Sequence, residues 1–178
     1  MVAIRVSGVP PMTWPLFRTI LILPGTVVVA VPTLLLWLFA GTGMGADPAT
    51  TAGVRLWAGF ALALAGLALA IWTVRLFSGP GEGTPAPWDP PRRLVVLGPY
   101  RHVRNPMITS VLLMLAAESL VAGSWPVAAW GAAFFTANVI YFPLVEEKQL
   151  EKRFGDDYRR YKAHVPRWVP RWKPWIGP

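Results

Sequence analysis

Long intervals without charge divide the chain. No Asp, Glu, Lys or Arg occurs between Arg18 and Asp47 or between Arg55 and Arg75, and Glu118 is the single one from Asn105 to Val145. An apolar helix of about 20 residues crosses the ~30 Å hydrocarbon core of a bilayer while satisfying its own backbone. Four spans are expected: Leu16–Ala40, Val54–Phe77, Pro106–Ala122 and Trp125–Leu144. Pro24 and Pro32 should kink the first. Gly59, Ala63 and Gly66 in the second would allow close helix contact. The expected fold is all-α, a polytopic membrane helical bundle of about four transmembrane helices with an interfacial C-terminal helix. It reads as a single membrane domain: a two-span hairpin over 1–77, a cytoplasmic loop over 78–104, a second hairpin over 105–144 and a tail over 145–178.

Charged residues make up 15% of the 178 positions and apolar residues 54%, whereas soluble domains carry about a quarter charged residues. The net charge of +8 would suit nucleic acid or anionic lipid, and the apolar spans favour lipid, with no nucleic-acid partner. The absence of cysteine excludes disulfides, thiolate metal sites and a cysteine nucleophile; no metal is expected. Arg5 and Arg18 precede a first apolar run that is too long for a signal-peptide core and reads as an uncleaved anchor. Basic residues then set the orientation. The Gly41–Gly53 link and the Gly123–Pro126 turn contain no Lys or Arg, while the Ser78–Arg104 loop holds Arg92, Arg93, Arg101 and Arg104 and the tail holds nine. Both termini and the long loop are expected on the cytoplasmic side, in the plasma membrane of a prokaryote. The sequence leaves the oligomeric state open.

The stretch "LGPYRHVRNPMITS", Leu97 to Ser110, opens the third span. Asn105-Pro106 reads as a helix start, Asn at the cap and Pro at the first helical position. Unpaired N–H groups and the positive dipole end there form a general anion site. Arg101 and Arg104 lie just before it, and Gly98-Pro99 supplies a turn. The set suits a carboxylate or phosphate; positive-inside anchoring explains the arginines equally well. In the tail, Leu150, Phe154, Tyr158 and Tyr161 recur at helical spacing, so a helix should continue from the fourth span along the interface, bent at Gly155. Glu146 and Glu147 stand where the fourth span ends, near the start of the third. Two carboxylates beside an anion-binding terminus suit a zwitterionic ligand; a solvated acidic turn is the plainer reading.

"GPYRHVRNP", followed by "EEKQLEKRFGDDYRRYKAHVPRWVP", resembles the isoprenylcysteine carboxyl methyltransferase and phospholipid methyltransferase-like family. The pattern falls on Gly98, Pro99, Tyr100, Arg101, Arg104, Asn105 and Pro106, then on Glu146, Glu147, Leu150, Phe154, Gly155, Tyr158 and Tyr161, and closes on Val165, Pro166, Arg167 and Pro170. The resemblance implies an S-adenosylmethionine-dependent methyltransferase whose lipophilic acceptor enters from the bilayer: a prenylcysteine-type carboxylate, a phospholipid amine or a hydrophobic small molecule. Gly98, Pro99, Tyr100, Arg101, Asn105, Pro106, Glu146, Glu147, Tyr158 and Tyr161 would then hold the cofactor, with Tyr158 and Tyr161 packed over it. Arg104, Glu147 and Arg167 would be catalytic, the arginines orienting an acidic acceptor. Ile108 stands where the family carries tyrosine, and Asn105 where many members carry histidine.

Glu118 should lie near the opposite interface in a wetted or pairing role, and Asn138 should either line the substrate cavity or bond to a neighbouring helix, the latter being preferred. Trp168, Trp172 and Trp175, interleaved with Arg and Lys, read as interfacial anchors. Two other functions fit the sequence. Membrane sterol and steroid reductases, which use NADPH, resemble this family in their last spans. A non-catalytic helical bundle would use its basic tail to hold anionic lipid or a partner.

Overall fold

The computed structural model describes residues 22, 24–42, 48–83 and 91–177. The start of the first expected span, residues 43–47 of the glycine-rich link and residues 84–90 of the long loop lie outside them. All regular structure among the described residues is helical. A π-helical turn, Gly25–Ala30, leads into α1 (Val31–Leu38), and α2 follows (Pro48–Ser78). After a 3-10 turn (Gly98–Arg101) come α3 (Pro106–Ala122) and α4 (Trp125–Tyr141). A second π-helical turn, Phe142–Glu146, joins α4 to α5 (Glu147–His164).

Each π-helical turn lies at or beside a proline. Pro32 and Pro143 lack an N–H and so interrupt the regular helical ladder, which a widened turn accommodates. Val31 N–H accordingly reaches Thr26 O, and Glu147 N–H reaches Phe142 O. The kink expected in the first span takes this form. Trp130 Nε1 donates to Val27 O at 3.0 Å and ties the first segment to α4.

The second helix begins at Pro48, six residues before the expected Val54, so part of the Gly41–Gly53 link is helical. Proline is tolerated there because a first-turn N–H has no intrahelical acceptor. Glycines seat α3 against α2, as expected. A Cβ added at Gly59 would lie 2.6 Å from Val121 Cγ2 and 3.2 Å from Ala117 O; at Gly66 it would lie 3.0 Å from Met114 Cγ and from Ser110 O. The two helices are therefore antiparallel and in near-backbone contact. Ser110 is fully buried there, its hydroxyl donating to Met107 O at 2.6 Å. The chain reverses at Gly123, whose left-handed φ of +61° lets Gly123 N–H reach Leu120 O and Ser124 N–H reach Ser119 O. The expected α3–α4 hairpin is formed.

Two helices are long and apolar enough to cross a membrane: Gly53–Ser78 within α2, and the continuous Trp125–His164 helix through its apolar part. Only 11% of each apolar window is buried, so neither is the core helix of a soluble domain, and their exposed faces suit lipid. Gly25–Leu38 and α3 are apolar but shorter. The count of membrane-length helices among the described residues is thus two, against the four expected. Pro106 and Gly123 set the ends of α3, and the described part of the first segment is short.

α5 consists of two helical pieces meeting at Gly155 (φ 55°, ψ −128°), the bend expected there. Its apolar face joins the tail: Tyr158, Tyr161 and Val165 form a buried cluster with Leu94, Val96, Leu150, Phe154 and Trp175. This core lies at the end of the bundle where α3 begins and α4 ends.

Candidate functional site

The motif loop is shaped by Gly98. Leu97 is extended, Gly98 turns with φ +53°, and a Cβ at Gly98 would lie 2.9 Å from Trp72 Cζ2. Both the backbone angle and the indole exclude a side chain. The 3-10 turn closes through Tyr100 N–H to Leu97 O and His102 N–H to Pro99 O. Tyr100 is buried, edge-on to Phe77 at 5.4 Å, and its carbonyl accepts from Tyr161 Oη at 2.7 Å.

The tail runs back along this loop in the opposite direction. Arg104 N–H donates to Pro166 O, Arg171 N–H to His102 O and Trp175 N–H to Arg101 O, all at 2.9–3.0 Å. Arg167 is thereby set beside Arg104, and both reach Glu147, the first residue of α5. Glu147 Oε1 accepts from Arg104 Nη1 at 2.9 Å and from Arg167 Nε at 2.6 Å, while Lys162 Nζ lies 3.3 Å from Oε2 and 2.7 Å from Glu151 Oε1. Three of the expected residues, Arg104, Glu147 and Arg167, are therefore in direct contact.

Glu147 is only 3% exposed. Burial by itself would raise its pKa, but the hydrogen bond from Arg167 and the charges of Arg104 and Arg167 outweigh it and hold the carboxyl below its ordinary value. Glu146, also beyond the apolar span, behaves oppositely. Burial, aided by the charge of Glu147, pushes it up to about 7, and it makes no hydrogen bond among the described residues. The cluster of Arg104, Arg167 and Lys162 faces two carboxylates, Glu147 and Glu151, and keeps an excess of one positive charge. Arg104 Nε and Asn105 Nδ2 are buried without a hydrogen-bond partner. Buried donors left unpaired are costly, and these two sit immediately before α3.

At that terminus the structure corrects one expectation. Asn105 precedes the helix, but its side chain makes no capping bond. Its backbone (φ −118°, ψ 53°) departs from the extended geometry that aims a cap side chain inward. Instead Asn105 O accepts from both N–H and Oγ1 of Thr109. Pro106 has no N–H to offer, and the N–H groups of Met107 and Ile108 lack intrahelical acceptors.

The other expected residues are placed as follows. Arg101 turns away from Glu147, its Nε donating to Val96 O at 3.3 Å. Pro99 serves the turn through its carbonyl. Tyr158 and Tyr161, each 3% exposed, belong to the buried cluster. Burial raises Tyr158 to about 12 and holds Tyr100 and Tyr161 well above the usual tyrosine value, so none serves as a base near neutrality. His102 Nδ1 is spent on Arg171 O at 2.8 Å.

Asn138, expected to bond to a neighbouring helix, donates to Phe134 O of its own helix, because that carbonyl lies one turn back on the same face. Glu118 is partly exposed near the far end of α3, with Oε2 buried and unpartnered. Two of the three tail tryptophans are not free anchors: Trp168 packs edge-on to Phe135 and Phe142, and Trp175 packs on Tyr161 and His164. Trp168 therefore rests on α4 and the π-helical turn after it, and Trp175 on α5, both half-buried. A groove of about 230 Å³ opens beside Trp175 between Leu94, Val96, Arg160 and Ile176, and none of the expected site residues lines it.

Sequence reasoning missed Lys162. It lies fifteen residues after Glu147, beyond the break at Gly155, so no i,i+4 spacing pointed to it. Trp72, whose indole forms the wall behind Gly98, was equally invisible.

The site's two halves, the loop before α3 and the start of α5, also mark what the chain is similar to. No solved structure matches it. A 65-residue protein of Haemophilus influenzae, described as uncharacterized, is 43% identical over its whole length, which corresponds to 35% of this chain. The family model described as phospholipid methyltransferase matches residues 54–157, taking in α2 from Val54 onward, the motif loop, Arg104, Asn105, Glu146 and Glu147 and stopping before Tyr158 and the tail. Since that match spans more than half of the chain and contains most of the polar centre around Glu147, the protein belongs to the phospholipid methyltransferase family.

Proposed function

We propose that this protein is an integral membrane, S-adenosylmethionine-dependent methyltransferase acting on a lipophilic acceptor. The observation that carries the reading is the Arg104–Glu147–Arg167 centre with unpaired donors, Arg104 Nε and Asn105 Nδ2, at the start of α3. Those donors, with the N–H groups of Met107 and Ile108, fit the carboxylate end of the cofactor, and Glu146, without a hydrogen bond among the described residues, fits its ammonium group. When bound, S-adenosylmethionine supplies an electrophilic methyl group. Glu147, engaged by three cations, positions Arg104 and Arg167, and Arg167 orients an acidic acceptor. Tyr100, Tyr158 and Tyr161 form the wall that keeps water from this end of the bundle. An acceptor that is already anionic needs little proton transfer, so alignment in a water-poor site is the main contribution.

We infer a four-span topology, with the apolar run Leu16–Ala40 and α3 crossing beside α2 and α4 and both termini cytoplasmic. The basic residues of the loop and tail support it, as do Trp57 and Trp125, which are exposed at the same end of the bundle, opposite to the Glu147 centre. The plasma membrane of a prokaryote is the expected location.

Incubating membranes that contain the protein with methyl-labelled S-adenosylmethionine should place label in an organic-extractable product, and Arg167→Ala should abolish the transfer. NADPH binding in the absence of any affinity for S-adenosylmethionine would overturn this reading in favour of a reductase, which the family match does not favour.

A further inference from the structure

The tail beyond α5 has two edges with different chemistry. Its inner edge is bound to the motif loop through Arg104 N–H to Pro166 O, Arg171 N–H to His102 O and Trp175 N–H to Arg101 O. The same edge delivers Arg167 to Glu147. Its outer edge carries Val169, Trp172 and Ile176, which are 75%, 95% and 78% exposed. Large apolar side chains held this far out of the fold lose the burial that would stabilise them, and here three recur within eight residues. Cations interleave with them: Lys173 and Arg171 lie in the segment, Arg171 with Nη1 donating to His164 O at 2.8 Å, and Arg160 lines the groove beside Trp175 with Ile176 and Asp157.

This pattern selects its partner. Tryptophan suits the headgroup depth of a bilayer, aliphatic side chains suit the acyl boundary below it, and each nearby Lys or Arg is attracted to anionic headgroups. A single-stranded nucleic acid would stack on Trp172 but offers nothing to Val169 and Ile176.

We propose that the segment 169–176 docks on an anionic bilayer surface, inserting Val169, Trp172 and Ile176 and placing Arg171 and Lys173 against lipid phosphates. The docked segment then acts as a strap, holding Pro166 and Arg167 on the motif loop from the membrane side. The inference rests on the membrane-spanning reading of α2 and α4 only in requiring a bilayer beside the tail.

The chain contains no cysteine, so single nitroxide labels are introduced cleanly into the full-length protein. Trp172→Cys probes the strap, and Leu64→Cys, on the exposed face of α2, probes the span. Both are read by oxygen against nickel-chelate accessibility in nanodiscs of phosphatidylcholine, alone or mixed with phosphatidylglycerol. The Leu64 label should be oxygen-accessible in both lipids. The Trp172 label should move from water into lipid when phosphatidylglycerol is added, and high salt should reverse the move. Lys173→Gln should weaken docking about fivefold, the effect of one cationic contact near the surface. A Leu64 label in water would overturn the spanning reading itself. A Leu64 label in lipid with Trp172 still in water would overturn the docking alone. Equal immersion of Trp172 in both lipids, or its protection by an oligonucleotide but not by lipid, would overturn the assignment of an anionic bilayer as partner.

Discussion

Glu147 gathers side chains from three places that are distant in the chain: Arg104 before α3, Lys162 after the break in α5 and Arg167 in the tail. Removing the carboxylate leaves Arg104, whose side chain is 10% exposed, as an uncompensated buried charge. Glu147→Ala should therefore cost about 3–5 kcal/mol, read by chemical unfolding of the detergent-solubilised protein. The pH dependence has a definite sign. Because the folded carboxyl is held below its ordinary value, its stabilisation is present above the unfolded pKa of about 4.5 and is lost as pH falls toward the folded value. Glu146 is raised to about 7, so its protonated form stabilises the fold below about pH 4.5, and that contribution is lost as pH rises through about 7. Glu146→Gln, which mimics the protonated form, should remove this loss at alkaline pH in thermal unfolding. If Glu146 holds an ammonium group, affinity for S-adenosylmethionine should rise as pH passes about 7 in the wild type, and the rise should disappear in Glu146→Gln. A pH-independent affinity in the wild type would remove Glu146 from the site.

Among the elements, α2 and α3 meet at glycines that have no room for growth. Gly66→Val would drive a side chain into Ser110 O and Met114, both 3.0 Å from the added Cβ, and should cost about 1–3 kcal/mol through overpacking. Gly155→Ala meets nothing within 4 Å, but its backbone (φ 55°, ψ −128°) lies in a region open essentially to glycine, so its cost should be a backbone term of about 1–3 kcal/mol. Differential scanning of both variants against wild type checks the two losses; an unchanged melting temperature in either variant would contradict its assignment. These elements were legible to different degrees. The α3–α4 hairpin and the bend in α5 followed from Gly123 and Gly155, because left-handed glycine is a local signal. The π-helical turns at Pro32 and Pro143 were visible only as prolines, since a sequence shows that a helix is disturbed but not how its ladder is rebuilt. The early start of α2 was hidden because Pro48 and Thr50 resemble linker composition as much as a first helical turn.

For the whole molecule, the polar centre was legible because charge is scarce in the apolar spans and the few polar cassettes stand out. Arg104, Glu147 and Arg167 could be grouped from three motif blocks, and the fold brings them within hydrogen-bond distance. The enclosing tail could not be foreseen in the same way. Trp168 and Trp175 read as surface anchors, yet Trp168 rests on Phe135 and Phe142 and Trp175 on Tyr161 and His164. Lys162 was lost for a related reason, because only the folded break at Gly155 returns it to Glu147. The number of spans was read as four from apolar runs, whereas two helices among the described residues reach membrane length.

The start of α3 and the start of α5 are proposed to hold a methyl donor together. Isothermal titration of the detergent-solubilised, full-length protein with S-adenosylmethionine tests this. One site per chain is expected, weakened at least tenfold by Asn105→Ala through loss of a buried donor to a charged group, with binding retained in Trp172→Ser. No heat of binding in the folded wild-type protein, or binding unchanged by Asn105→Ala and Glu146→Gln together, would contradict it.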